Sequence, residues 1–407
     1  MTTPQHTGNP VDIRAFKPFL FGQTAAFMAY QMLVVAVGWQ VYDLTRSAFM
    51  LGMVGLVQFL PQFLLTLVVG HVADRYDRRR IVIICLLVEC ATAALLTLGS
   101  FSPWLTEELI LACAFTLGAA RAFGSPTTQA LLPTLVEPAL LPKCLALSAS
   151  GRQVAIIAGP ALGGALYIAG AGAVYGVSCA AYCAAIILFL CIRTKAPALK
   201  REPASLKSVF DGITFIWSKP DILGAISLDL FSVLLGGATA LLPIYARDIL
   251  LTGPWGLGLL RAAPAVGAFS MSVYLARHPL ERRVGRTMFA AVAVFGAATV
   301  VFGLSRWFAL SAAALAVLGA ADMISVVIRS SLVQLETPDE KRGRVSAVNS
   351  IFIGTSNQLG EFESGVTAAL FGTVPAVVAG GVCTLLVVVF WMRLFPGLAR
   401  RETLAKG

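Results

Sequence analysis

Long apolar runs, broken by short clusters of Gly, Pro and charge, recur along the whole chain. They predict twelve helices, at about residues 17–43, 48–70, 80–100, 107–131, 143–170, 173–193, 221–247, 254–276, 286–304, 307–334, 344–372 and 374–395. Crossing bilayer hydrocarbon takes roughly 20 apolar residues as a helix, and the runs reach that length. One long polar break, at about 194–220, leaves six runs on either side. The expected fold class is therefore an all-α membrane protein, with twelve transmembrane helices in two pseudo-symmetric six-helix bundles. The bundles occupy residues 1–193 and 221–407, joined by a cytoplasmic linker at 194–220. Within that linker Leu206, Val209, Phe210, Ile213, Ile216 and Trp217 recur at helical spacing, opposite Lys207, Ser208 and Asp211. This pattern suits an amphipathic helix on the membrane surface; the alternative is the first turns of span seven.

An internal repeat supports the two-bundle reading. A shift of 203 residues aligns Tyr42 with Tyr245, Gly55 with Gly258, Leu56 with Leu259 and Pro61 with Pro264. It also aligns Arg79 and Arg80 with Arg282 and Arg283. Paired bundles around a central cavity are a common plan for secondary transporters.

Composition narrows the function classes. The chain is 57% hydrophobic and 13% charged, whereas soluble domains carry about a quarter charged residues. An ordinary soluble enzyme is excluded, and so is a disordered chain. The net charge of +10 invites a nucleic-acid reading, but the positions of the charges argue otherwise. Most of the 31 Lys and Arg fall in segments that share one side of the membrane, with Arg46, Arg247 and Arg306 on the other. Positive residues stay cytoplasmic, so both termini are expected inside a bacterial cytoplasmic (inner) membrane, with anionic lipid drawn to the inner face. Residues 1–16 are mostly polar and offer no cleavable signal. Small-molecule substrate and membrane lipid are the expected partners of a monomeric protein, without nucleic acid.

The eight cysteines avoid the outer loops, so no disulfide framework is expected. Cys179 and Cys183 share a helix face but lack nearby His or acidic partners in sequence, and no metal site is expected. His6, His71 and His278 all fall outside the spans, and neither a His-Glu-x-x-His motif nor a phosphate-binding Gly-x-x-x-x-Gly-Lys loop occurs. An intramembrane enzyme and an ATP-driven pump are both disfavoured, leaving no catalytic residues and no cofactor beyond a proton gradient. A non-transporting receptor or scaffold gains nothing from loops this short.

Two motifs carry more specific information. The turn after span two reads Gly70-His-Val-Ala-Asp74-Arg75-Tyr-Asp77-Arg78-Arg79-Arg80. Gly70 allows close helix approach, Asp74 can meet a helix N-terminus or a basic side chain, and the arginines suit an anionic surface. The segment resembles the signature loop of the major facilitator superfamily, departing from it at Asp77, where that family usually has Gly. The resemblance implies a gate-locking role for Asp74, with Gly70, Arg75, Arg78 and Arg79 around it. Span five carries Gly159-Pro160-Ala-Leu-Gly163-Gly164, where small residues permit close packing and Pro160 interrupts the ladder. This core resembles the antiporter motif of drug:proton exporters in the same superfamily, and implies export rather than uptake. The stretches 39–61, 126–164, 224–248 and 322–365 resemble the superfamily branch that contains the enterobactin exporter and drug exporters. Phrases such as Pro243-Ile-Tyr-Ala-Arg247-Asp248 carry that likeness.

Ionisable residues in mid-membrane cost about 2.5–3.5 kcal/mol each and are usually functional. Within the expected spans Glu89, Asp229, Asp322, Glu361 and Glu363 face Arg121, Arg152, Arg261 and Arg329. One carboxylate exceeds the available arginines and is suited to carry a proton. Asp229, Asp322 and Glu361 lie nearest mid-depth, and Arg121 with Gly124 resembles the superfamily's arginine element linked to proton exchange. The other reading makes these groups internal salt bridges. Gln31, Gln58, Asn349, Asn357 and Gln358, with Phe231 for apolar contact, are expected to line the substrate cavity. The expected function is proton-coupled export of a bulky amphiphilic solute, drug-like or a siderophore, by alternating access. The alternatives within the fold are a lysolipid flippase and an uptake permease.

Overall fold

The computed structural model describes residues 10–192, 206–280 and 282–404. The first half holds α1 (Pro10–Thr45), α2 (Ala48–Arg75), α3 (Arg78–Gly99), α4 (Glu107–Leu135), α5 (Leu141–Leu166) and α6 (Ala171–Leu190). A short helix α7 (Leu206–Trp217) precedes the second half. That half holds α8 (Pro220–Leu235), α9 (Leu242–Ile244), α10 (Gly253–Arg277), α11 (Val284–Leu304), α12 (Phe308–Glu336), α13 (Asp339–Phe371), α14 (Thr373–Leu394) and a terminal turn α15 (Pro396–Ala399).

Eleven segments among the described residues are long and apolar enough to cross a membrane. The twelfth expected span is α13, which is 33 residues long but carries Asn349, Ser356, Asn357, Gln358, Glu361 and Glu363. A helix this polar stays in a membrane bundle by turning those groups toward protein or a cavity. Side-chain caps begin several helices: Ser47 accepts from Met50 N–H at 3.4 Å, and Thr106 from Leu109 N–H at 3.4 Å.

Span seven departs from the single helix expected at 221–247. After α8 the chain breaks at Gly236 and Gly237, passes through a 3-10 turn (Ala238–Leu241) and α9, and ends in one π turn (Tyr245–Ile249). The break fits tightly against its neighbours. A Cβ on Gly237 would sit 2.6 Å from the Gly360 carbonyl oxygen of α13. Interrupted helices of this kind occur at the binding sites of transporters.

The linker at 194–205 lies outside the described residues, as do the side chains of Leu206, Val209 and Phe210. α7 is a helix separate from α8, and Ile216 is buried with Ile222, Val333, Val345 and Val348. Arg344 of α13 donates to Asp211 at 3.0 Å, holding α7 against the start of α13.

Within the first half, α1 packs on α4, α5 and α6, and α3 packs on α4 and α6. Phe19, Leu33, Tyr175, Tyr182 and Phe189 fill that core. A second apolar cluster crosses the halves, joining Val35, Trp39, Tyr42 and Leu51 to Leu241, Tyr245, Leu257 and Phe302. Two helix pairs carry the rest of the seam, α5 on α10 and α2 on α13. Each crosses at glycines. A Cβ on Gly164 would lie 2.9 Å from Gly258 Cα, and one on Gly365 would lie 2.6 Å from Gly52 Cα. Only bare backbones approach so closely.

Candidate functional site

A polar cavity lies on the seam between the halves. The first half contributes Tyr30, Gln31 and Gln58. From the second come Ala240, Arg261, Gln358 and Glu361. The break in span seven therefore opens onto this cavity through Ala240, and Glu361 reaches across it. Its Oε2 lies 2.7 Å from where a Cβ on Gly55 of α2 would be, so Gly55 makes room for the carboxylate. Gln31, Gln58 and Gln358, named from sequence, come together here. Phe231 does not; it is on the outer surface of α8 with its ring 5.1 Å from Trp391. Asn357 is exposed and donates to the Ile353 carbonyl of its own helix at 2.9 Å. Asn349 lies a few turns away beside Val345 and Val348, not among the lining residues. The helical period explains the two asparagines: residues 349, 357 and 358 of one helix cannot all share a face, and Gln358 takes the cavity side.

A second, smaller chamber sits inside the first half between α1, α3, α4 and α6. Gln23, Glu89, Arg121, Ser125 and Thr128 line it. The Arg121 guanidinium lies 3.6 Å from the Tyr30 ring centroid and 5.4 Å from that of Phe27, an attractive cation–π geometry. Tyr30 in turn donates to Gln58 Oε1 at 3.3 Å. Tyr30 thus stands between the chamber and the central cavity.

The second half holds a deeply buried charged group. Arg329 of α12 is bonded to Asp229 of α8, and both are buried. Asp322, two turns before Arg329, shares a small cavity with Asp229, Ser232 and Ser325. Two carboxylates therefore face one guanidinium. Of the proton-coupling residues named from sequence, Asp229 and Asp322 fall together here. Glu361 belongs to the central cavity and Arg121 to the first-half chamber. Glu363 accepts from Thr367 within its own helix at 2.7 Å.

At one end of the molecule, four charges tie the halves. Arg247 bonds to Asp43, Arg46 lies 3.7 Å from Asp248, and Tyr42 donates to Asp248. Sequence reasoning assigned Arg46 and Arg247 to that face and did not pair them. A signal was present, because Tyr42-Asp43 and Arg247-Asp248 end the repeat-related spans one and seven.

The signature turn lies at the opposite end. Gly70 and Asp74 are in the last turns of α2, with side chains outside the described residues. Asp77 is the N-cap of α3: its carboxylate accepts from Arg79 N–H at 2.8 Å, at φ −60°. The residue standing where the superfamily usually has Gly thus needs no left-handed backbone. Arg75 is exposed, whereas Arg78 donates to the Ala130 carbonyl of α4 at 3.0 Å and Arg79 to the Phe189 carbonyl of α6 at 2.9 Å. Arg79 thus meets a carbonyl in the last turn of α6, as cations there do, and Arg78 ties α3 to α4.

The span-five motif divides between two neighbours. Gly159 and Gly163 press α1 at Gln31 and Met32, while Gly164 and the Pro160 carbonyl press Gly258 of α10. The motif is thus both core and seam.

A family model described as transmembrane secretion effector matches residues 6–403. The chain belongs to that family of the major facilitator superfamily. Among curated relatives, the enterobactin exporter EntS of Citrobacter koseri is 25% identical over 391 residues, covering 95% of this chain and 93% of that one. Macrolide efflux protein A of Streptococcus pyogenes is 30% identical over 146 residues, and that match spans 36% of each chain. Solved structures share the fold. A bacterial homologue of the human lysosomal transporter Spinster, inward-facing and occupied, has a TM-score of 0.76 at 13% identity, covering 97% of this chain and 99% of that one. A bacterial homologue of the iron transporter ferroportin in an inward-facing state has a TM-score of 0.73 at 16% identity, covering 96% and 99%. This major facilitator protein is a multi-pass membrane transporter with efflux-type relatives, and not an enzyme.

Proposed function

We propose that this transporter exports a bulky amphiphilic solute, drug-like or a siderophore, from the cytosol in exchange for protons. The carrying observation is the seam cavity, where Gln31, Gln58, Gln358, Arg261 and Glu361 converge from both halves. Such a lining suits a solute rich in carbonyl and hydroxyl groups with a charged centre: the glutamines and Arg261 recognise oxygens, and Glu361 a cationic amine. Likeness to an enterobactin exporter and a macrolide efflux protein supports the direction and the class. The extra carboxylate at Asp229, Asp322 and Arg329 supports proton coupling.

In this reading the protein is a monomer in the bacterial inner membrane, with both termini and the basic turn at Arg75–Arg80 in the cytosol. Residues 1–193 and 221–407 rock as two bodies about the seam, joined by the linker at 194–220. The Asp43–Arg247 and Arg46–Asp248 pairs then form the outer closure. No resident cofactor takes part; the proton gradient supplies the work.

A second reading, movement of a lysolipid, is favoured by one observation. An apolar groove lies on the outer surface between α3 and α4, with Tyr76, Asp77 and Arg80 at its polar end. Proteoliposomes separate the two. An imposed pH gradient should drive uptake of a fluorescent macrolide or catecholate into inside-out vesicles, with counter-movement of protons. Gradient-independent transfer of labelled lysolipid between leaflets, without solute uptake, would replace the first reading by the second.

A further inference from the structure

Three thiols meet between α3 and α6. Cys179 and Cys183 share one face of α6 at a four-residue spacing, and Cys90 of α3 enters between them. Its Sγ lies 3.7 Å from that of Cys179 and 3.4 Å from that of Cys183. All three sulfurs fall within 4.8 Å of one another, and among the described residues no His or carboxylate joins the group. Cys183 is exposed and Cys90 and Cys179 are partly buried, on two helices apolar enough to cross a membrane. The expectation of no metal site rested on two cysteines of one helix. The third comes from a residue 89 positions away in sequence.

We propose that Cys90, Cys179 and Cys183 form a three-thiol binding site for trivalent arsenic, taken up as uncharged arsenous acid, As(OH)3. Soft thiol donors select soft, thiophilic elements, and the bilayer then selects by charge. Each As–O bond is replaced by an As–S bond, and each thiol proton leaves with a hydroxide as water. Three thiols and As(OH)3 thus give As(SR)3 and three waters. The oxidation state is unchanged and the adduct is neutral. Zinc or copper(I) held by three thiolates would carry net negative charge in hydrocarbon with no counter-ion, which is costly. Zinc also takes a fourth ligand at structural sites, and none stands here. The adduct links α3 to α6 inside the first half and leaves the seam untouched.

Native mass spectrometry of the purified full chain, incubated with arsenite and then desalted, tests the site. The expected result is one arsenic per chain with the loss of three protons. That species should disappear in Cys90→Ser and in Cys183→Ala, the latter a change at an exposed position that the fold tolerates. It should persist in Cys383→Ala. Gel filtration of each variant confirms a folded protein. No adduct in the wild-type chain, an adduct that loses only two protons, or one retained in full by Cys183→Ala would overturn the proposal. Zinc bound by the same three cysteines at equal occupancy under the same conditions would also overturn it.

Discussion

The two halves share a fold and differ in how they hold buried charge. In the first half Glu89 and Arg121 line one chamber, and the guanidinium spends its charge on the faces of Tyr30 and Phe27. In the second, Arg329 is locked to Asp229, and Asp322 stands beside them. The first arrangement is one acid and one base with an aromatic relay toward the cavity. The second has two acids for one base. A repeat can therefore preserve helix packing while assigning different electrostatic tasks to its copies.

Breaking the tight pair should have the largest effect. Arg329→Met leaves a buried Asp229 without its partner, at a cost of about 3–5 kcal/mol, and thermal denaturation in detergent should show a large loss. The double variant Asp229→Leu with Arg329→Met should recover most of it. Arg121→Met should cost about 1–2 kcal/mol, the scale of desolvated cation–π contacts. Equal losses for Arg329→Met and Arg121→Met would erase the contrast.

Transport should separate the halves next. Asp322→Asn is expected to abolish uptake driven by a pH gradient in vesicles while leaving solute exchange at equilibrium near wild type. Glu89→Gln should retain at least half of the driven rate. Gradient-driven transport at full rate in both Asp322→Asn and Asp229→Asn would move coupling to Glu361.

The seam offers a third test. Gly258→Val would push a side chain onto the Pro160 carbonyl, already 2.5 Å from an ideal Cβ. About a tenfold fall in transport is expected, with each bundle still folded by circular dichroism. The smallest effect belongs to the end-face charges. Arg247→Gln should cost about 0.2–1 kcal/mol, the scale of solvent-accessible pairs, and the exchange Asp43→Arg with Arg247→Asp should keep transport closer to wild type than Arg247→Asp alone.

Much of the fold was legible because span length and charge position are one-dimensional signals. Eleven of the expected runs are apolar enough to cross a membrane, and the twelfth, expected at 344–372, is the helix α13, which is more polar than an apolar count requires. Span seven read as continuous, because Gly236-Gly237 inside an apolar run looks like ordinary close packing until Gly360 is seen against it. The site was legible in part. Gln31, Gln58 and Gln358 could be named as polar residues in spans, but rotation about each helix decides which way a residue turns, and Phe231 and Asn357 turned elsewhere. Pairings between distant segments were the least accessible. Only the repeat register links Asp43 to Arg247, and nothing near Cys179 points to Cys90.

The two glycine crossings have a mechanical consequence. Gly52 against Gly365 and Gly164 against Gly258 are bearings without side chains, one on each flank of the central hollow. Two such bearings define an axle. In the proposed rocking motion these two points slide backbone over backbone, and the resistance to turning comes from Phe49 against Phe362, the apolar cluster across the halves and the charged clasps at the end.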